Sequence, residues 1–72
     1  MKKIKKIKIK INGKIKSITE HCNLSIVLKN LKIPLNKVAI ELNEEIIDKK
    51  KINEITLHKY DKIEIVHFIG GG

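Results

Sequence analysis

Alternating isoleucine and lysine residues near the start of the chain restrict its fold more narrowly than any other feature. In Ile7-Lys8-Ile9-Lys10-Ile11 every second residue is apolar, which is typical of a strand with one buried and one wet face. Asn12-Gly13 follows directly, and both residues tolerate the positive φ that tight hairpin turns require. We therefore predict a β-hairpin whose second strand runs to about Ile18.

The register of this hairpin depends on the length of its loop. A two-residue loop would put Lys14 and Lys16 on the same face as the isoleucines. A three-residue loop with a glycine bulge instead sets Ile15 opposite Ile11 and leaves the lysines outside. The sequence pattern favours the bulged loop.

A change of period after the hairpin indicates one short helix. Asn23 is a good N-cap for it, because its side chain can accept a hydrogen bond from an unpaired amide of the first turn. Pro34 prevents the helix from continuing. We predict a helix of roughly residues 24–31 that lays one apolar stripe on a sheet, formed by Leu24, Val27, Leu28 and Leu31.

The second half of the chain returns to strand patterns. Residues 38–43 alternate again, and Ile46-Ile47 is a candidate for a brief edge strand. The charged run 48–51 is interpreted as a solvated loop that also protects a sheet edge. Three apolar residues after it are expected to cover the open end of the core, with a helical turn possible: Ile52, Ile55 and Leu57.

The final strand, which starts at Ile63, has apolar residues on both faces. Ile63 and Ile65 are predicted to point to the core, because Glu64 between them must face water. The same alternation puts Val66 and Phe68 on the outer face. Two exposed apolar side chains at this point indicate a docking patch; the alternative is that lysine stems or a neighbouring loop cover them.

The order of elements is therefore hairpin, helix, strand, irregular segment, strand. One apolar core can serve all of them only if the helix crosses a single mixed sheet, which is a two-layer α+β unit. A ubiquitin-like β-grasp satisfies this order, with the first and last strands adjacent and parallel at the centre. We predict one β-grasp domain over residues 1–68 and a flexible C-terminal tail over residues 69–72.

Composition limits the possible functions. The net charge is +8, but all basic residues are lysines and aromatic residues are nearly absent. Specific nucleic-acid binding is therefore not expected, since arginine reads phosphates and bases better and aromatic platforms stack bases. A solvated surface or an acidic face on a protein partner explains the charge better. With a single cysteine and no apolar run of bilayer length, we expect a cytoplasmic protein that does not bind membranes.

The residue types that carry catalysis or bind metals lack suitable spacing. The histidines, at positions 21, 58 and 67, do not form a metal-ligand pattern with Cys22. The terminal glycines are not followed by Lys-Ser/Thr and open no helix, so they are not a phosphate loop. We predict no metal, no bound cofactor and no independent enzymatic activity.

The sequence ends in Ile69-Gly70-Gly71-Gly72, directly after the patterned strand. Glycine has no Cβ, so this segment is expected to form a slender arm that carries the α-carboxylate of Gly72. Fully extended, these residues would span about 13 Å, enough to enter a narrow opening in another protein. A frayed end or a cloning remnant is the alternative.

Two segments resemble the sulfur carrier protein of thiamine biosynthesis. They are Val38-Ala39-Ile40-Glu41-Leu42-Asn43, followed by Glu45-Ile46-Ile47, and the ending His67-Phe68-Ile69-Gly70-Gly71-Gly72 with the strand before it. The resemblance extends over nearly the whole chain. This family often has glycine where Glu44 stands, and often has Asp-Gly-Asp in place of Lys59-Tyr60-Asp61; both departures lie in predicted turns.

The resemblance implies a carrier cycle centred on Gly72. A partner adenylating, E1-like enzyme uses ATP to convert the Gly72 carboxylate into an acyl-adenylate. A sulfur-donor enzyme supplies persulfide sulfur that replaces AMP, and thiazole synthase receives the sulfur from the resulting thiocarboxylate. Gly70 and Gly71 keep the arm thin, while Val66, Phe68 and Ile69 are predicted to dock on the partner. A carrier for molybdopterin synthesis or tRNA thiolation, or a small basic binding module, are the alternatives.

Overall fold

The computed structural model describes residues 4–68. None of the helices in that range combines the length and the apolar composition that a membrane span requires. The predicted tail, residues 69–72, lies outside the described residues. The strands are β1 (Lys6–Ile11), β2 (Lys14–Thr19), β3 (Val38–Leu42), β4 (Glu45–Ile46) and β5 (Lys62–His67); the helix is α1 (Leu24–Asn30), and 3₁₀ helices occupy Leu35–Lys37 and Lys49–Glu54.

The strands form a single mixed sheet in the order β2-β1-β5-β3-β4. β1 and β5 are parallel, with Ile11 beside Ile63, and the other neighbouring pairs are antiparallel. β5 is thus the middle strand and β1 lies next to it. This confirms the predicted ubiquitin-like β-grasp, with the first and last strands adjacent and parallel at the centre of the sheet.

Helix α1 forms where the sequence predicts it and ends one residue earlier. The Asn23 side chain accepts a hydrogen bond from the backbone N–H of Ile26 at 2.9 Å, which confirms the predicted N-cap. Leu31 is the C-cap, and its N–H bonds to the carbonyl of Val27 at 3.1 Å. Pro34 follows after the turn and precedes the first 3₁₀ helix.

One apolar core lies between α1 and the sheet. Isoleucines of β1 and β5, together with Val38 and Ile40 of β3, supply its sheet side, and residues of α1 and of the segment before β5 cover them. Of the residues predicted to lie in the core, Leu31 and Ile55 are only half-buried. The buried set is Ile9, Ile11, Leu24, Val27, Leu28, Val38, Ile40, Ile52, Leu57, Ile63 and Ile65. We call the opposite side of the sheet the outer face.

The predicted edge strand is shorter than expected. Ile46 lies in β4, as predicted, but Ile47 lies outside it.

The predicted bulge in the first hairpin is wrong. Asn12 and Gly13 both adopt positive φ, 49° and 81°, and form a two-residue loop that pairs Ile11 with Lys14. This is the turn whose twist matches that of the flanking strands. Ile15 consequently lies opposite Lys10 on the outer face and is 66% exposed. The lysines opposite the isoleucines stay exposed, because β2 is an edge strand.

Four other turns among the described residues contain non-glycine residues in the left-handed region, at His21, Lys32, Asn43-Glu44 and Tyr60. Asn43 and Glu44 have φ of 52° and 72° and form the two-residue loop between β3 and β4. Tyr60 has a φ of 71° just before β5. Glu44 and Tyr60 are the positions where the resembling sequences often have glycine, which adopts positive φ without the steric cost that a Cβ adds. Both departures therefore affect local backbone energy.

Candidate docking site at the end of strand β5

Strand β5 leads to the predicted site and is held firmly on its β1 side. The backbone N–H of Asn12 donates to the Ile63 carbonyl at 2.9 Å. The Asn12 side chain then accepts from the Ile65 N–H at 2.7 Å and donates to the Ile65 carbonyl at 3.4 Å. Asn12 lies beyond the end of β1, so its side chain replaces the backbone groups that the strand no longer supplies.

Strand β3 holds the other side of β5 along its full length. Val38, the first residue of β3, pairs with His67, the last residue of β5. Beyond this pair, the N–H of Phe68 donates to the carbonyl of Lys37 at 2.9 Å. The backbone is therefore hydrogen-bonded up to Phe68, the last described residue, so the sheet holds the backbone from which this side chain projects.

Lys49 contacts the ring of Phe68, and the sequence does not predict a role for it. Its Nζ donates to the carbonyls of Leu35 and Val38, each at 2.7 Å. The same Nζ is 5.4 Å from the centroid of the Phe68 ring, within the range of a cation–π contact. Lys49 is half-buried, so the interpretation of residues 48–51 as a solvated loop is wrong at this position. Three lysines in a row give no signal that one is structural.

Apolar side chains gather on the outer face near Phe68. Val66 and Phe68 are 53% and 52% exposed, as their alternation with Glu64 predicts. Val66 is paired with the half-buried Ala39 on β3. Ile46, paired with Glu41 on the edge strand, is 79% exposed. We call Ala39, Ile46, Val66 and Phe68 the apolar patch.

The alternative that lysine stems cover these residues does not fit the structure. Lys49 contacts the Phe68 ring, yet about half of the Phe68 side chain remains exposed. Val66 keeps a similar exposure. Within the predicted site, the structure thus describes Val66 and Phe68 and leaves both on the surface. Ile69, Gly70, Gly71 and Gly72 lie outside the described residues, so their predicted roles remain predictions.

Two carboxylates border the apolar patch. Glu41 and Glu64 face each other across β3 and β5 on the outer face, and both are half-buried. Neither forms an ion pair within residues 4–68. Like charges in a directly opposed pair repel each other. A cationic side chain placed between them by a partner would relieve this repulsion.

The described part of the chain offers no metal site. Residues 4–68 contain no group of three or more His, Cys, Asp and Glu side chains that could hold an ion. Cys22 is half-buried, and its Sγ lies 3.6 Å from the carbonyl of Asn23. The described part of the site consists of exposed apolar surface on a central strand that is hydrogen-bonded on both sides.

Known proteins are similar to this chain in sequence and in fold. The sulfur carrier protein ThiS of Bacillus subtilis is 37% identical over 65 residues, which cover 89% of this chain and 98% of that protein. A thiazole synthase of Paramagnetospirillum magneticum is 36% identical over 66 residues, or 92% of this chain. The chain spans only 20% of the length of that thiazole synthase and of a second one from Magnetococcus marinus.

A solved structure and a protein family agree with these relatives. The crystal structure of the thiamine biosynthesis protein ThiS from Geobacter metallireducens superposes with a TM-score of 0.80 at 29% identity. The superposition covers 92% of this chain and all of that one, 100%. The ThiS family matches residues 9–72, which include both the apolar patch and the glycines. This β-grasp chain belongs to the ThiS family.

Proposed function

We propose that this protein is a sulfur carrier for the formation of the thiamine thiazole, with Gly72 as the residue that carries sulfur. The observation that supports this most directly is the exposed Phe68 at the end of the central strand, immediately before Ile69-Gly70-Gly71-Gly72. A partner that docks on the apolar patch would hold the start of the tail at a fixed position. The family match, which extends to Gly72, supports the same role for the glycines.

The proposed chemistry begins with activation of the Gly72 carboxylate. A carboxylate resists nucleophiles until one of its oxygens becomes part of a good leaving group. In the partner adenylating enzyme, this carboxylate attacks the α-phosphate of ATP and releases pyrophosphate. Gly72 then has an acyl-adenylate. The missing Cβ of glycine allows close approach to the reacting carbon.

Sulfur transfer follows activation. The terminal sulfur of a persulfide on the sulfur-donor enzyme attacks the Gly72 carbonyl carbon, and the bond to AMP breaks. A thiol then reduces the resulting S–S bond and releases the thiocarboxylate. The protein itself supplies no catalytic group in this sequence of steps; it binds, positions and carries.

Thiazole synthase is the proposed sulfur acceptor. Two thiazole synthases each contain a region similar to this chain that makes up 20% of their length. A carrier-like region within the same polypeptide is the arrangement expected if carrier and synthase act together. The alternative acceptors, in molybdopterin synthesis or tRNA thiolation, would use the same activation chemistry and differ only in the partner.

Docking in this proposal depends on Val66, Phe68 and Ile69. Val66 and Phe68 offer exposed apolar surface on a strand that is bonded on both sides, so little order has to be gained on binding. The opposed carboxylates of Glu41 and Glu64 border this surface and would favour a partner with a basic residue at that position. The glycines would then thread toward the nucleotide site.

Intact mass spectrometry tests the proposal. The protein is incubated with the adenylating enzyme, ATP, a cysteine-derived persulfide source and a thiol. We expect the mass gain of one oxygen replaced by sulfur, localised by fragmentation to Gly72. An adenylate without sulfur would point to a different donor, and an unchanged mass with an enzyme that is active on another carrier would contradict the proposal.

A further inference from the structure

A second surface lies on the outer face near the start of β5. It is an open groove of about 410 Å³, formed by residues of β1, β2 and the segment that enters β5. Ile15 and Tyr60 are its exposed apolar members, at 66% and 74% exposure. We call this surface the basic groove; it is lined by Lys8, Ile9, Lys10, Ile15, Tyr60 and Lys62.

The sheet fixes the arrangement of these side chains. Lys10 is paired with Ile15 on β2 and with Lys62 on β5, so three neighbouring strands contribute one row to the outer face. The N–H of Tyr60 donates to the carbonyl of Lys8 at 2.7 Å. This bond holds the Tyr60 turn against β1. The backbone segments that line the groove are therefore hydrogen-bonded to one another, β2 to β1 and the Tyr60 turn to β1.

The groove combines positive charge with apolar surface. Lys8 and Lys10 are exposed and have no carboxylate within ion-pair distance among residues 4–68. Lys62 forms a 3.6 Å ion pair with the exposed Glu44, and Lys59 places its Nζ 5.0 Å from the Tyr60 ring centroid. Lysine stems can pack on apolar groups while their ammonium ends remain in water.

We propose that the basic groove binds an acidic segment of the adenylating enzyme, with an aliphatic side chain of that segment seated between Ile15 and Tyr60. The proposal rests on the sulfur-carrier function proposed above. An apolar centre with a charged rim is the usual composition of a protein interface. A nucleic acid fits less well, since the groove has no arginine and Tyr60 is its only aromatic residue.

The basic groove and the apolar patch lie on the same face of β5. Lys62, Glu64 and Val66 follow one another on that face, with Glu64 between the two surfaces. One partner can therefore cover both. The patch would position the tail, while the lysines would attract the acidic surface of the enzyme and speed association.

Binding to the adenylating enzyme at low and high ionic strength tests the inference. The groove variant is Lys8→Gln with Lys10→Gln, and the control is Lys29→Gln with Lys32→Gln, which removes the same charge elsewhere. We expect the groove variant to bind about fivefold more weakly at low salt and to depend less steeply on salt than the wild type, as for the loss of two rim ion pairs. The control should stay within about twofold of the wild type, as expected for distant screened charges. Equally weakened binding of both variants would contradict the proposal that the groove binds the enzyme.

Ile15→Ala tests the apolar part of the groove. Because Ile15 is exposed on an edge strand, the substitution leaves folding nearly unchanged, and thermal unfolding verifies this. Weaker binding with an unchanged salt dependence is expected. Adenylation rates measured over a range of carrier concentrations separate the two proposals. Binding without any adenylation would contradict the proposed carrier function. Adenylation with the same KM for the groove variant and the control variant would contradict the proposal that the groove binds the enzyme.

A titration without the enzyme tests the chemistry of the occupant directly. The probes are a pentapeptide of four glutamates around a central leucine and an oligodeoxythymidine of the same charge. We expect the peptide to shift the amide resonances of Ile15 and Tyr60 in the wild type, and to shift them at least about threefold less in the groove variant, as for lost lysine contacts. Preference for the oligonucleotide, or no shift at these residues, would overturn the proposal.

Discussion

The side chain of Asn12 binds both polar backbone groups of Ile65, accepting from its N–H at 2.7 Å and donating to its carbonyl at 3.4 Å. Asn12 also has a φ of 49° and forms half of the hairpin loop. One residue thus ends β1, turns the chain and extends the contact between β1 and β5. The strand that leads to the proposed sulfur-carrying end is positioned by a turn residue far away in the sequence.

Replacing Asn12 should destabilise the fold in two separable steps. Asn12→Gly keeps the positive φ and loses the side-chain bonds, which should lower the free energy of unfolding by about 1–2 kcal/mol. Asn12→Ala loses the bonds and also asparagine's tolerance of the left-handed region, which alanine lacks, for a total of about 2–3 kcal/mol. Urea unfolding measures both variants. Equal stability of Asn12→Gly and the wild type would show that the bonds to Ile65 contribute nothing.

Glu44→Gly should stabilise the protein. Glu44 has a φ of 72°, and its 3.6 Å ion pair with Lys62 is exposed and contributes little. Glycine removes the steric cost of a Cβ in the left-handed region, but it also has more conformational freedom in the unfolded chain, which offsets part of this gain. The net effect should raise the free energy of unfolding by about 0.5–1 kcal/mol. Glu44→Ala is the control, since it removes the same charge and keeps the Cβ. An equal gain from Glu44→Ala would contradict the backbone explanation.

Lys49→Met should destabilise the protein although lysine is usually a surface residue. The substitution leaves the carbonyls of Leu35 and Val38 without the donor that lies 2.7 Å from each. We expect a loss of about 2 kcal/mol in the free energy of unfolding, because charged donors make the stronger hydrogen bonds and the site is partly solvated. Thermal and urea unfolding measure it. Lys50→Met, the exposed neighbour, should change stability by less than about 0.5 kcal/mol.

Phe68→Ala should weaken partner binding far more than folding. The side chain is 52% exposed, so stability should fall by less than about 1 kcal/mol, compared with about 3–5 kcal/mol for buried phenylalanine. The KM of adenylation should rise at least about tenfold, as for an aromatic interface residue. Ile26→Ala, which truncates an exposed apolar residue on α1, is the control and should leave KM unchanged. An unchanged KM in Phe68→Ala would contradict the proposed role of this residue in docking.

Deletion of Gly72 should abolish sulfur transfer without affecting the fold. The deletion moves the terminal carboxylate to Gly71, one residue short of the position that the proposal assigns to adenylation, and leaves the described residues, 4–68, intact. Thermal unfolding should therefore be nearly unchanged, while mass spectrometry should detect no thiocarboxylate. Transfer by the shortened chain at the wild-type rate would refute the role of Gly72.

The elements and their inward faces could be read from local patterns. Alternation placed Ile9, Ile11, Ile63 and Ile65 in the core, and Asn23 marked the start of the helix, because a strand period, a helix period and a cap each involve neighbouring residues only. The exposure of Val66 and Phe68 follows from the same alternation. A wrong expectation arose at Ile15, where the preference for pairing isoleucine with isoleucine was weaker than the twist preference of the two-residue Asn12-Gly13 loop.

The sequence by itself therefore determined the β-grasp fold, its core and the outward apolar side chains before the glycines. Tertiary structure alone decided that Lys49 supports Phe68, that Asn12 binds Ile65 and that Lys10 shares a row with Ile15 and Lys62. These contacts join residues that are distant in the chain. The sequence around a lysine or asparagine at a turn is the same whether its side chain is hydrated or binds a backbone carbonyl. The contact exists only because the folded sheet brings the second residue next to the first.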